Sequence, residues 1–91
     1  MTENQIEFEI NKLEYRLHFL TAVLNYSRMY QPMFYRGEKI CINQERGAIF
    51  DMINHLNGEM RLENVRQYVV PESIEEKINE VKTKVINIYN I

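Results

Sequence analysis

The sequence predicts one mainly α-helical domain spanning residues 1–91: a small, irregular bundle around a long N-terminal helix, with a short β-hairpin over 33–42. Three observations carry that expectation. An unbroken heptad pattern runs through the first thirty residues, and two later segments repeat apolar residues at helical spacing. Only three Gly and two Pro punctuate the 91 residues, and scarce breakers favour long elements over a many-turned β fold. Hydrophobic residues at 45% and charged residues at 26% are ordinary globular usage and exclude a disordered chain. A chain of this length buries only about 60–65% of its unfolded surface, so its core is thin and a second subunit would strengthen it.

The first helix is expected from Glu3 to Tyr30, stopping before Pro32. Ile6, Ile10, Leu13, Leu17, Leu20 and Leu24 alternate spacings of four and three. A second set, Phe8, Tyr15, Phe19, Ala22, Tyr26 and Met29, follows two residues behind, which on a helix is nearly the opposite side. Polar lines separate the two: Glu7, Asn11, Glu14, His18, Thr21, Asn25 and Arg28 on one flank, Glu9, Lys12 and Arg16 on the other. A surface helix needs one apolar face. With two, this helix is expected to be sandwiched.

In the middle of the chain, residues 33–36 and 39–42 around Gly37-Glu38 have the form of two short strands on a two-residue turn. Asn43 then fits an N-cap, with a second helix from Gln44 to Asn57 ending at Gly58 and burying Ile49, Met52, Ile53 and Leu56. For 59–70, Met60, Leu62, Val65 and Val69 favour a short helix over a strand at Tyr68-Val69-Val70. A third helix starts near Pro71, where Ser73 and Glu76 have capping-box spacing. Its seam of Ile74, Ile78, Val81, Val85 and Ile88 is wholly β-branched, which lowers helix propensity and makes this helix depend on packing. The leucine seam of the first helix is its expected mate, and the Phe/Tyr side is expected to take the second helix.

The formal charge is −2, and no stretch bounded at residues 30, 58 and 70 departs from neutrality by more than one charge. That removes the extended basic field that phosphate backbones attract. Cys41 is the sole cysteine, so no intrachain disulfide forms. The start Met1-Thr2-Glu3-Asn4 carries no basic stretch leading into an apolar run, and nowhere are there ~18 consecutive apolar residues, so the expectation is a cytoplasmic chain. No phosphate loop, nucleophile elbow or paired zinc spacing occurs. Asp51 and His55 sit four apart but lack a third ligand nearby and are expected as a solvated pair, while Cys41 between Ile40 and Ile42 is expected buried and inert. Neither cofactor nor metal is expected, and no enzyme.

Where the first helix ends, the residue types change. Arg28, Tyr30, Phe34, Tyr35 and Arg36 crowd a turn, and Tyr, Phe and Arg are the types that dominate protein interfaces. They are the expected partner-binding residues. The Phe8, Tyr15, Phe19, Ala22, Tyr26 and Met29 stripe is the expected oligomer interface, with a homodimer as the economical arrangement. Function is therefore expected to be a non-enzymatic protein–protein interaction module, a small adaptor, regulator or inhibitor. The alternative is a dimeric nucleic-acid-binding regulator, which requires Arg61, Arg66, Arg36, Lys39 and Arg46 on one face.

Overall fold

Three helices account for most of the chain. The computed structural model describes all 91 residues and contains α1 (Glu3–Met29), α2 (Arg36–Leu56) and α3 (Glu72–Tyr89), with a single 3-10 turn at Leu62–Asn64 and no strand. At 1.5 Å per residue α1 is about 40 Å long, and the molecule measures 40 × 27 × 19 Å, so α1 spans it. Its first turn is closed reciprocally: Gln5 N donates to Thr2 Oγ1 (3.2 Å) and Thr2 N to Gln5 Oε1 (2.9 Å).

Instead of forming a hairpin, residues 36–42 open α2. A two-stranded hairpin with no third strand is marginal, whereas Ile42, Glu45, Ala48 and Ile49 recur at helical spacing and are all buried. Glu38 Oε1 accepts the Tyr35 N–H at 2.8 Å and so closes the helix start eight residues ahead of the expected Asn43 cap. Asn43 lies mid-helix and exposed, accepting from Arg46 at 2.7 Å. The far end follows expectation. Gly58 at φ 80 closes α2, with its N–H on His55 O at 2.9 Å.

Residues 59–70 do not form the expected helix beyond that 3-10 turn. From Val65 to Pro71 the chain runs without turn or bend as a strap over α2, because side chains of α2 take its amides. Arg66 N donates to Asp51 Oδ2 (3.2 Å) and Val70 N to Glu45 Oε1 (2.9 Å). Pro71 then serves as the N-cap of α3, with Ser73 already inside the helix and no capping bond from its side chain. Four of the five α3 seam residues, Ile74, Ile78, Val81 and Val85, are buried; Ile88 is not.

The core gathers Phe19, Leu20, Val23 and Tyr26 of α1 with Phe34, Ile42, Ile49, Val70 and the α3 seam. As expected, α1 packs against both other helices, but α2 does not lie on the Phe/Tyr side where it was expected. Leu13 shares a groove with Ala48, Ile49 and Met52, and Leu17 shares another with Gly47 and Phe50, so α2 lies antiparallel along the leucine seam.

Candidate functional site

The turn between α1 and α2 is built from alternating anchored and free residues. Tyr30 caps α1 with its N–H on Tyr26 O at 2.9 Å. Met33 N then donates to Ser27 Oγ at 3.4 Å, and Phe34 drops into the core at 8% exposure. On either side of this anchor two tyrosines stay outside: Tyr30 is 59% and Tyr35 78% exposed. The Tyr30 ring lies 5.5 Å from that of Tyr26 and tilted by 30°, so its outer side is presented on a braced support. Arg28 and Arg36 are exposed and make no ion pair.

Lys77 of α3 completes the patch. Its Nζ lies 5.0 Å from the Tyr35 ring centroid, 2.9 Å from Glu38 Oε1 and 3.4 Å from Met33 O. The Tyr35 amide first, and then Lys77, hold the Glu38 carboxyl below the usual carboxylate range. Four of the five expected partner-binding residues, Arg28, Tyr30, Tyr35 and Arg36, are exposed at or beside this turn; Phe34 is a core residue that fixes it. Lys77 has no sequence signal, since it arrives from forty residues away.

The expected oligomer stripe on α1 is split by the fold. Phe19, Ala22 and Tyr26 lie in the chain's own core, where they have no surface for a second subunit. Phe8, Tyr15 and Met29 remain outside, at 60%, 49% and 66% exposure. Phe8 carries Lys12 Nζ at 4.9 Å from its ring. Two basic residues singled out for nucleic acid are paired with carboxylates: Arg66 Nε lies 2.7 Å from Asp51 Oδ2, and Arg61 lies 3.6 Å from Glu63. Arg36 and Lys39 lie at the start of α2, a helix of about 30 Å, and Arg61 follows its far end.

Inside the molecule the charged groups answer one another. Arg16 Nε and Nη2 meet Glu45 Oε2 and Glu75 Oε2, each at 2.7 Å, joining α1 to α2 and α3. Burial works against the Arg16 charge, but its bonds to Glu45 and Glu75 outweigh it and raise the pKa. Asp51 is held below the usual carboxylate range by the Arg66 side chain and then by the Arg66 amide. The expected solvated pair of Asp51 and His55 is not what forms: Asp51 is buried at 6% exposure on Arg66, and His55 Nδ1 lies 2.9 Å from Met60 O. No three His, Cys, Asp or Glu side chains gather in a group suited to a metal ion, and no helix is long and apolar enough to cross a membrane. Cys41 is half-buried, not buried as expected, and its proximity raises the Tyr68 hydroxyl pKa. No protein-family model, curated protein or solved structure matches the chain.

Proposed function

We propose that the chain is a non-enzymatic protein-binding module, a small adaptor, regulator or inhibitor that works as a homo-oligomer and contacts its target through the α1–α2 turn. The observation that carries this reading is the contrast at the turn itself. Phe34 is taken into the core while Tyr30 and Tyr35 on either side are left 59% and 78% exposed, beside unpaired Arg28 and Arg36. Tyrosine brings much apolar area and a hydroxyl at small entropic cost, and Arg adds directed hydrogen bonds. Because Phe34, Ser27 and Glu38 fix the turn, little ordering remains for binding to impose. A cytoplasmic setting belongs to the same proposal and keeps the lone Cys41 reduced.

The test is a Tyr35→Ala/Arg36→Ala double variant in affinity capture from the native host, alongside the wild type. A protein recovered by the wild type and lost by the folded double variant supports the turn as the contact surface. Equal recovery by both removes it. The second reading, a nucleic-acid-binding regulator, draws on the same exposed Tyr30, Tyr35, Arg28, Arg36 and Lys39, since bases stack on aromatics beside arginine. Salt separates the two, because affinity for nucleic acid falls steeply with ionic strength in proportion to the phosphates neutralised.

A further inference from the structure

Among the connections, the strap has the least complete hydrogen bonding. Arg66 N and Val70 N reach Asp51 and Glu45. The amides of Gln67, Tyr68 and Val69, and the carbonyls from Val65 to Val70, have no partner within the chain. Successive residues of an extended chain aim their backbone groups to opposite sides. With Arg66 and Val70 aimed at α2, Gln67 and Val69 aim away from it, and both residues are exposed, Val69 at 76%. The segment Val65-Arg66-Gln67-Tyr68-Val69-Val70 is also rich in strand-forming types and free of Gly and Pro. An exposed edge of this kind is a template for another extended chain.

We propose that this edge is a self-association site, on which a second copy of the chain lays its own 65–70 segment antiparallel about a twofold axis at Tyr68. In that register Gln67 stands opposite Val69 of the partner subunit, and Val69 opposite the partner's Gln67. Each pair exchanges both N–H···O bonds through the groups that aim outward. Charge favours the same occupant and direction. Arg66 is the only charged residue of the segment, and Glu72 is the next one along the chain. The antiparallel register sets Arg66, held on its own Asp51, opposite the partner's Val70 and toward the acidic first turn of the partner's α3, so no like charges face each other at either end. A parallel register sets Arg66 beside its own copy and is opposed. The contact is isologous, as a twofold dimer requires, and it gives a surface to the homo-oligomer clause of the proposed function, on which it rests. It replaces the α1 stripe, half of which lies in the core.

The experiment is sedimentation velocity over a concentration series on the full chain and on Val69→Pro, which removes one outward amide and keeps the Arg66 and Val70 anchors. The wild type is expected to move from the 11.0 kDa of one chain toward twice that mass. Val69→Pro is expected to need at least tenfold higher concentration for the same shift. An unchanged midpoint in the variant overturns the strap and leaves self-association through another surface standing. A wild type that stays monomeric throughout overturns both. Amide hydrogen exchange on the wild type supplies a readout that does not depend on a variant's folding. Gln67 and Val69 are expected to become protected as concentration rises while Tyr68 does not, and concentration-independent exchange at the two outward amides overturns the proposal.

Discussion

The two halves of α1 carry the same heptad pattern and meet different fates. From Phe19 to Ser27 the helix buries Phe19, Leu20, Ala22, Val23, Tyr26 and Ser27. From Glu3 to His18 it buries none; Leu13 and Leu17 are half covered, and Phe8 and Tyr15 stand in solvent. Apolar periodicity says which side of a helix prefers cover, and the rest of the chain decides how much of that side receives it. Here α3 and Phe34 join the core around the C-terminal half, while in the N-terminal half Leu13 lines an open groove with α2 and the strap, and Arg16 reaches α3 through Glu75.

Mutations at matched positions in the two halves sharpen that contrast. Leu20→Ala, at a fully buried site, is expected to lower stability by about 3–5 kcal/mol, and Ile6→Ala by less than about 1 kcal/mol. Urea unfolding of both variants measures the gap, and similar losses would remove the distinction between the halves.

The polar flank offers a second matched pair. Arg16→Ala leaves Glu45, 4% exposed, without its counter-charge and next to Glu75. It is expected to lose about 3 kcal/mol, the low end for breaking a buried pair because the Arg16 side chain keeps 28% exposure. Lys12→Ala, which breaks the exposed pair with Glu9 and the exposed contact with the Phe8 ring, is expected to change stability by no more than about 1 kcal/mol. Chemical denaturation at neutral pH compares them.

The strap's clamp predicts a pH dependence. Asp51 is held below its ordinary pKa in the folded state, so its contribution is complete above the unfolded value of about 3.9 and is lost as pH falls through the folded value. Asp51→Asn is therefore expected to be less stable than the wild type near neutrality, with the deficit closing in acid. A deficit that stays constant into acid would show that the carboxylate charge is not what holds the strap.

The smallest effects belong to positions that touch little. Gly37 has no atom within 4 Å of where a Cβ would stand. Gly37→Ala is expected to add about 0.5–1 kcal/mol, from helix propensity and a less flexible unfolded chain. Phe8→Ala, at 60% exposure, should shift thermal unfolding little, with a change within about 0.5 kcal/mol.

The helices were legible in the sequence wherever periodicity was long. The ends of α1, the cap at Gly58 and most of the α3 seam follow from spacing and breakers alone. The hairpin expectation failed because Gly37 between two short apolar runs imitates a turn, and only Ile42, Glu45 and Ala48 in the core show that the helical period continues through it. The strap was illegible for a different reason. Its conformation is set by Asp51 and Glu45, side chains of another element that take its amides. Likewise Arg16 and Ser27, polar in sequence, lie along the packed line of α1 with Leu20 and Val23, since Glu45, Glu75 and the Met33 amide supply their partners. Of the contact surface, the Tyr and Arg composition was legible; the inward turn of Phe34 and the arrival of Lys77 required the fold.

Native-state amide hydrogen exchange along α1 tests the unequal helix most directly. At dilute concentration, amides from Leu20 to Ser27 are expected to exchange only through global unfolding, while those from Phe8 to Lys12 exchange through local opening of much lower free energy. Protection of equal size along the whole of α1 would contradict the account, because it would place the N-terminal half in the same cooperative core as Leu20.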